Sequence, residues 1–261
     1  METTMAGLNE LWIDPHRDAV RMLADQTTVL AEEAQELFAE KYAAYPWQVD
    51  LSGTPRFWFE REPIAEFRAH FIGSVSEYSN TWMWGWENIN GYPEEAVALS
   101  TSVRDAGERL DCPEFTTTVL PLDPRERSDA GLPAREHAVY DYVHAAMALT
   151  DLVEPVYYRG SNGNGGYAWF VLENRAEFHL PPASIMSAVG ILTRITAAGL
   201  VADPHLATWA YAVRREGLTI EQTGTDMILT AQDGSATVSF DDRGRLARID
   251  AHAGPAAAGG H

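Results

Sequence analysis

The stretch "NTWMWGWEN", residues 80–88, raises the question that decides how this chain folds. Trp82, Trp84 and Trp86 stand two residues apart, and a period of two places all three rings on one face of a β-strand. The strand register is not fixed by the sequence, so the tryptophans can share a face with either of two sets of residues. A core under a long helix would come from Phe57, Phe59, Phe67 and Phe71. An aromatic surface for a ligand or peptide would come from Arg56, Trp58, Glu60, Arg68 and His70. Large rings usually bury their area, which favours the core.

The segment that leads to the tryptophans alternates in the same way. It predicts strands near 47–51, 56–61, 65–75 and 81–87, with a turn at "EYSN", residues 77–80. In the third strand, Ala65, Phe67, Ala69, Phe71, Gly73 and Val75 are predicted to point one way. We therefore expect an antiparallel sheet with one apolar and one mixed face.

Helical periodicity surrounds this sheet. A long helix is predicted over 15–44, with Asp14 as N-cap and Pro15 at the first helical position. Further helices are predicted over 93–110 and 134–152, followed by a hairpin over 155–173 whose turn is the Gly/Asn-rich "GSNGNGG". The sequence thus favours a sheet flanked by helices.

The pattern changes after Pro181 and Pro182. Helices over 183–198 and 204–216 precede four short strands, predicted near 218–222, 226–231, 236–241 and 245–250. The predicted class is α+β, with a first domain over 1–178, a smaller unit of two helices and a β-meander over 179–252, and a disordered tail over 253–261.

Composition restricts the classes of partner. The chain has 261 residues, with 38 acidic and 19 basic side chains and a net charge of −19. That charge repels nucleic acid and anionic membranes. It fits either a protein partner with a basic surface or a surface that only keeps the protein soluble. One cysteine, Cys112, cannot form an intrachain disulfide, and no signal peptide or spanning segment is evident. These features predict a cytoplasmic protein.

Three patterns in the sequence have the residue types of a metal or nucleotide site. His137, Asp141 and His144 share one helical face, and so do Glu32, Glu36 and Glu40, but both rows lie opposite apolar residues and are predicted to face water. The glycine-rich turn leads into a strand, which is not a phosphate-binding arrangement. The sequence therefore predicts no metal and no cofactor, and Cys112 is expected to be an ordinary packed thiol.

A family resemblance accompanies the tryptophan stretch. "IGSVSEYSNTWMWGWEN" resembles an uncharacterised bacterial domain family whose core is Gly-Ser-x-Ser, a short gap and Thr-Trp-x-Trp-x-Trp-x-Asn. The matching positions are Gly73, Ser74, Ser76, Thr81, Trp82, Trp84, Trp86 and Asn88. The order of elements resembles that family through about residue 175. The resemblance implies no activity. Gly73 would recur for a physical reason if a tryptophan ring lay across it.

Two functional hypotheses remain. The leading one is a non-catalytic binding or protein-interaction protein, immunity-like if its basic partner is a toxin. The alternative is a small-molecule-binding or hydrolase-like enzyme with Glu60, Arg68 and His70 beside the tryptophans. The predicted ligand-binding or partner-binding residues are Trp58, Arg68, His70, Trp82, Trp84 and Trp86. No catalytic residue is assigned, and a homo-oligomer stays open.

Overall fold

The long strand β3 organises the main sheet of the protein. The structure, a computed structural model, describes residues 11–14, 16–122, 134–150, 154–163, 165–174 and 176–254. One edge of β3 (Ala65–Ser76) pairs with β7 (Gly166–Glu173). The other edge pairs first with β2 (Arg56–Phe59) and then with β4 (Thr81–Trp84). Outside these lie β1 (Trp47–Asp50), β5 (Val119–Pro121) and β6 (Val156–Ser161). The result is a curled antiparallel sheet of seven strands.

A β-bulge in β3 decides which residues share a face. The pairing of β3 with β7 shifts between Phe71 and Gly73, so that Ile72 is an extra residue on β3. An extra residue reverses the alternation beyond it. Phe71 packs in one core cluster, whereas Val75 packs in another on the opposite face. The prediction that residues 65 to 75 keep one alternation was therefore wrong beyond Phe71.

Helix α1 (Ala19–Tyr42) packs along the β6 edge of the sheet and is buried on nearly all sides through its first half. The Gln35 side-chain carbonyl accepts the backbone N–H of Tyr157 at 3.2 Å, which satisfies a donor of the edge strand. The helix starts later than predicted because Asp18 is its N-cap. Asp14 instead accepts the backbone N–H of His16 in a turn before the helix, and Pro15 lies outside the described residues.

Helices α2 (Glu94–Leu110), α3 (Pro113–Thr116) and α4 (Ala134–Ala148) follow the first four strands. Pro93 is the N-cap of α2, and Glu94 and Glu95 lie in its first turn, where the helix dipole favours acidic groups. The helices predicted over 93–110 and 134–152 and the hairpin predicted over 155–173 are all present. The segment between α2 and α4 contains the short helix α3 before β5.

The C-terminal unit has the predicted two helices and meander. Helices α5 (Ile185–Ala197) and α6 (Pro204–Arg214) precede β8 (Thr219–Thr223), β9 (Asp226–Ala231), β10 (Gly234–Phe240) and β11 (Leu246–Ala253). The four strands form one antiparallel sheet in sequence order. The α+β class is therefore confirmed. The predicted disorder of the tail concerns residues that lie, from 255 onward, outside the described part of the chain.

The two sheets share one hydrophobic core, which continues from Phe178 through Leu180 to the strands of the meander. Polar side chains of α1 also reach the C-terminal unit. Both carboxylate oxygens of buried Asp25 accept backbone N–H groups of the α5–α6 loop, at 2.9 and 2.8 Å. Burial raises the pKa of Asp25 to about 7. The domain boundary at 178 stays a prediction, and it lies within this shared core.

In the described ranges no helix is long and apolar enough to cross a membrane.

Candidate functional site

Strand register assigns the tryptophan stripe to the sheet face that carries His70. Directly paired residues of antiparallel strands point to the same side. His70 pairs with Val171 of β7, and Trp169 lies two residues before Val171 on that side. Trp169 pairs with Gly73, and Gly73 pairs with Trp84. We call this side of the sheet the tryptophan face. Trp82 and Trp84 therefore share a sheet face with Arg68 and His70. They do not share the face of the phenylalanines, because the bulge at Ile72 reverses the alternation of β3.

One half of the tryptophan face is nevertheless a core. Trp82 and Trp84 are both 0% exposed, because α2, α4 and the start of α1 cover them. Their rings meet at right angles with centroids 5.3 Å apart, and Tyr142 of α4 packs against both. The core interpretation is confirmed for these two residues, although their core is separate from that of the phenylalanines. Neither ring is presented to a partner.

The third tryptophan leaves the strand. Trp86 belongs to a 3-10 helix, Gly85–Glu87, and is half-buried beside the same core. The Arg104 guanidinium lies over its ring at 5.7 Å from the centroid. Asn88 follows in the left-handed region and exchanges two hydrogen bonds of 2.8 Å with the backbone of Tyr92. The prediction of a strand through residue 87 was wrong, since this turn ends β4 at Trp84.

The other half of the tryptophan face is open. It carries three of the predicted binding residues: Trp58 is half-buried, Arg68 is exposed and the His70 side chain is 13% exposed. His70 Nε2 lies 3.2 Å from a carboxylate oxygen of Glu173. This contact outweighs burial and holds the pKa of Glu173 below its usual value. The face is a mixed aromatic and charged surface, as the second alternative from sequence requires.

A cleft opens between α4 and the β6–β7 hairpin on the same face. We call it the Arg159 cleft, and its volume is about 150 Å³. Its lining residues are Val75, Glu77, Val139, Tyr140, Arg159, Tyr167 and Trp169. The rings of Tyr140 and Trp169 meet edge-to-face at 5.2 Å. The Arg159 guanidinium lies over Tyr167 at 4.8 Å and over Trp169 at 5.9 Å. The cleft therefore combines an aromatic wall with one cation and one carboxylate.

Two donors of this cleft lack an acceptor within the described residues. No described carboxylate lies within ion-pair distance of Arg159, in a chain where most arginines described here have an acidic partner. The Trp169 side chain is 3% exposed, and its Nε1 atom has no hydrogen-bond partner. A buried donor without a partner costs about 1–3 kcal/mol.

A buried polar network lies behind the aromatic wall. Tyr157 packs against Trp169 and donates a 2.9 Å hydrogen bond to Glu32 of α1. Glu32 also lies 3.4 Å from Nε2 of His144, whose Nδ1 lies 3.0 Å from the Thr28 hydroxyl oxygen. Burial would raise the pKa of Glu32, but the contacts with His144 and Tyr157 hold it below the usual value. The network fixes α1 and α4 to β6.

This network does not supply a nucleophile. Thr28 donates its hydroxyl proton to the backbone carbonyl of Ala24 at 2.8 Å, so the 3.0 Å contact with His144 uses a nitrogen proton of the imidazole. Thr28 is 2% exposed. The hydroxyl of Thr28 is therefore engaged with buried groups and does not reach a substrate.

The structure corrects two predictions about solvent-facing rows. Asp141 and His144 are buried, because α1 packs on that side of α4 and Arg21 pairs with Asp141 at 3.1 Å. Glu32 is likewise directed inward, whereas Glu36 and Glu40 are exposed as expected. The side chain of His137 lies outside the described residues. Where the structure describes side chains, no group of three or more His, Cys, Asp or Glu is placed to hold a metal ion.

Cys112 is a packed thiol, as expected. It is 5% exposed, and burial raises its pKa to about 12. A thiol with so high a pKa carries little thiolate at neutral pH and is a poor nucleophile.

The fold and the cleft define a class of protein: an α+β protein with a curled antiparallel sheet and an aromatic cleft on one face. The chain belongs to a family of unknown function, DUF6882, whose model matches residues 21–175. The resemblance stated from the sequence is confirmed at the level of an uncharacterised domain. No curated protein and no solved structure matches the chain.

The residues quoted for that resemblance have structural roles here. A Cβ added to Gly73 would collide with the ring of Trp82 and come within 2.6 Å of the carbonyl oxygen of Met83. The ring that lies across Gly73 is therefore that of Trp82, whereas the residue paired with Gly73 across the strands is Trp84. Ser76 accepts the backbone N–H of Ser79 at 3.2 Å in the turn before β4. These positions build the bulge, the turn and the buried stripe.

Sequence reasoning missed the cleft. Tyr140, Arg159 and Trp169 come from α4, β6 and β7, and no local motif connects them. One signal was available: in the predicted hairpin, "YYRGS" and "GYAWF" place an arginine and two aromatic residues at matching positions on facing strands.

Proposed function

We propose that the protein is a non-catalytic binding protein whose ligand docks in the Arg159 cleft. The observation that carries this proposal is Arg159, a guanidinium without an acidic partner among the described residues, which lies over the aromatic wall of the cleft. Ligand sites are typically concave and apolar, with a few polar groups that orient the ligand. The rings, the guanidinium and the Glu77 carboxylate supply that combination. Because the Thr28 hydroxyl is buried and bonds to the Ala24 carbonyl, binding is favoured over hydrolysis.

The test uses the Trp169 indole N–H as a reporter. A chemically diverse set of small molecules is screened by two-dimensional ¹H–¹⁵N NMR, with the Trp169 signal assigned from Trp169→Phe. We expect some compounds to shift this signal, and Tyr167→Ala to weaken their binding at least about tenfold. Tyr78→Ala is the matched control, because Tyr78 is 97% exposed and lies outside the cleft lining. A screen in which no compound shifts the Trp169 signal would refute the proposal.

A second candidate is a protein partner at the open half of the tryptophan face. Trp58, Arg68 and His70 are its predicted contacts, and their partial exposure on one face favours it. The net charge of −19 favours a partner with a basic surface, as in the immunity-like hypothesis, and the cytoplasm remains the proposed location.

This second candidate is tested with an identified partner. Proteins retained by the wild type and lost with Trp58→Ala are identified, and the affinity of the purified partner is then measured at two salt concentrations. We expect the affinity to fall with Trp58→Ala and with salt. An affinity that neither change alters would exclude this surface. The hydrolase-like alternative would need His70→Ala to abolish a measured turnover.

A further inference from the structure

The Arg159 cleft offers two opposite charges beside one another. Strands β6, β7 and β3 lie side by side, and Arg159, Tyr167 and Val75 occupy neighbouring positions on them. Glu77 follows the end of β3. The first and third strands are about 10 Å apart, so long side chains from their ends can approach one ligand from both sides. The Arg159 guanidinium lies over the Tyr167 ring at 4.8 Å, and Glu77 lines the same cleft.

The two charges do not satisfy each other. Neither Arg159 nor Glu77 has an ion pair with any described residue, so their separation exceeds 4.0 Å. Arg159 presents a planar fork of N–H donors, which matches a carboxylate in a bidentate geometry. Glu77 is exposed and presents an acceptor, which matches an ammonium group. A ligand that carries both groups would complete both ends of the cleft.

Size and lining define the rest of the ligand. A cavity of about 150 Å³ holds about one benzene ring. Tyr140, Tyr167 and Trp169 line the cleft with aromatic rings against which such a group can pack. The overall charge of −19 repels small anions at long range but leaves a neutral zwitterion unaffected.

We propose that the Arg159 cleft binds a free α-amino acid with an aromatic side chain. The ligand carboxylate pairs with Arg159, its ammonium with Glu77, and its ring packs against the aromatic wall. This inference rests on the proposed function, because it names the ligand class of the same cleft.

The test separates the two charges of the ligand. Isothermal titration calorimetry measures three probes: phenylalanine, 3-phenylpropionate, which lacks the ammonium, and phenethylamine, which lacks the carboxylate. We expect each single-charge probe to bind at least about tenfold more weakly than phenylalanine, since each loses one charge-assisted hydrogen bond. Equal binding of phenylalanine and either single-charge probe would overturn the two-charge assignment.

Variants assign each charge to its residue. Arg159→Gln should weaken phenylalanine and 3-phenylpropionate at least about tenfold and leave phenethylamine unchanged. Glu77→Gln should weaken phenylalanine and phenethylamine and leave 3-phenylpropionate unchanged. The matched controls are Arg109→Gln and Glu108→Gln, exposed residues outside the cleft lining. Variants that weaken all three probes equally would contradict the assignment.

The failure of this inference is distinct from failure of the proposed function. If compounds of another class shift the Trp169 indole signal and phenylalanine does not bind, the cleft is a ligand site and the amino-acid assignment is wrong. If no compound of any class shifts that signal, both are wrong.

Discussion

Replacing Trp84 with alanine tests the assignment of the tryptophan stripe to the core. The Trp84 side chain is 0% exposed and packs against Trp82, Phe115 and Tyr142 with ring centroids 5.3 to 5.9 Å away. Emptying a large buried aromatic site costs about 3–5 kcal/mol. The indole N–H also donates a 2.8 Å hydrogen bond to the backbone carbonyl of Glu114. Because Glu114 is exposed, water can donate to its carbonyl oxygen once the indole is gone. The loss of this hydrogen bond therefore adds only about 1 kcal/mol. We therefore expect Trp84→Ala to lower the free energy of unfolding by about 4–6 kcal/mol.

The assay is equilibrium unfolding in urea followed by far-UV circular dichroism, which does not depend on the fluorescence of the deleted residue. Trp84→Phe retains a ring and should lose less than half as much as Trp84→Ala. Tyr78→Ala removes a ring that is 97% exposed and should change stability by no more than about 0.5 kcal/mol. A loss below about 1 kcal/mol for Trp84→Ala would contradict the core assignment.

Three further predictions concern buried positions. Gly73→Ala should lower the free energy of unfolding by about 1–3 kcal/mol in the same urea assay, because its Cβ collides with the Trp82 ring; an unchanged midpoint would contradict the close approach. Glu32→Gln should cost about 1–3 kcal/mol at neutral pH, because it removes a carboxylate from His144, and the difference from wild type should shrink as the pH falls through the lowered pKa of Glu32. Burial raises the folded-state pKa of Asp25 to about 7, so the folded protein holds a proton there that the unfolded chain releases above about pH 4. The contribution of Asp25 to the free energy of unfolding is therefore most favourable below about pH 4, and it declines by up to about 1.4 kcal/mol per pH unit as the pH rises toward 7. Urea unfolding across this range should show that decline in the wild type and a flatter profile for Asp25→Asn, and identical slopes would refute it.

Local patterns in the sequence were sufficient for most elements of the fold. Alternation from Trp47 to Trp84 predicted four strands, and the spacing of apolar residues predicted the long helices and the C-terminal meander. These elements follow from residue period and from proline, glycine and capping residues, which act within a few residues of themselves. The predicted and observed boundaries differ where the sequence offers two capping residues. The first helix was predicted to begin after Asp14, but Asp18 is its N-cap.

The faces of those elements were harder to predict, because they depend on distant packing. The bulge at Ile72 leaves no mark in the alternation of β3, yet it reverses the face of every later residue in that strand. In α4, one apolar stripe was evident, but the opposite side is covered by α1, so Asp141 and His144 are buried as polar partners of Arg21 and Glu32. A polar row on a helix faces water only when no second element packs there.

The position of α1 explains why the cleft could not be found from local motifs. Adjacent residues of this helix point in different directions: Glu32 bonds Tyr157 behind the aromatic wall, and Glu33 forms a buried pair with Arg215 of the C-terminal unit at 2.8 Å. Burying that pair is costly unless both partners are present, so the C-terminal unit helps to hold α1 in place. Since α1 in turn supports Tyr157 against Trp169, the cleft lies within the family segment of residues 21–175 but depends on contacts made by residues outside it.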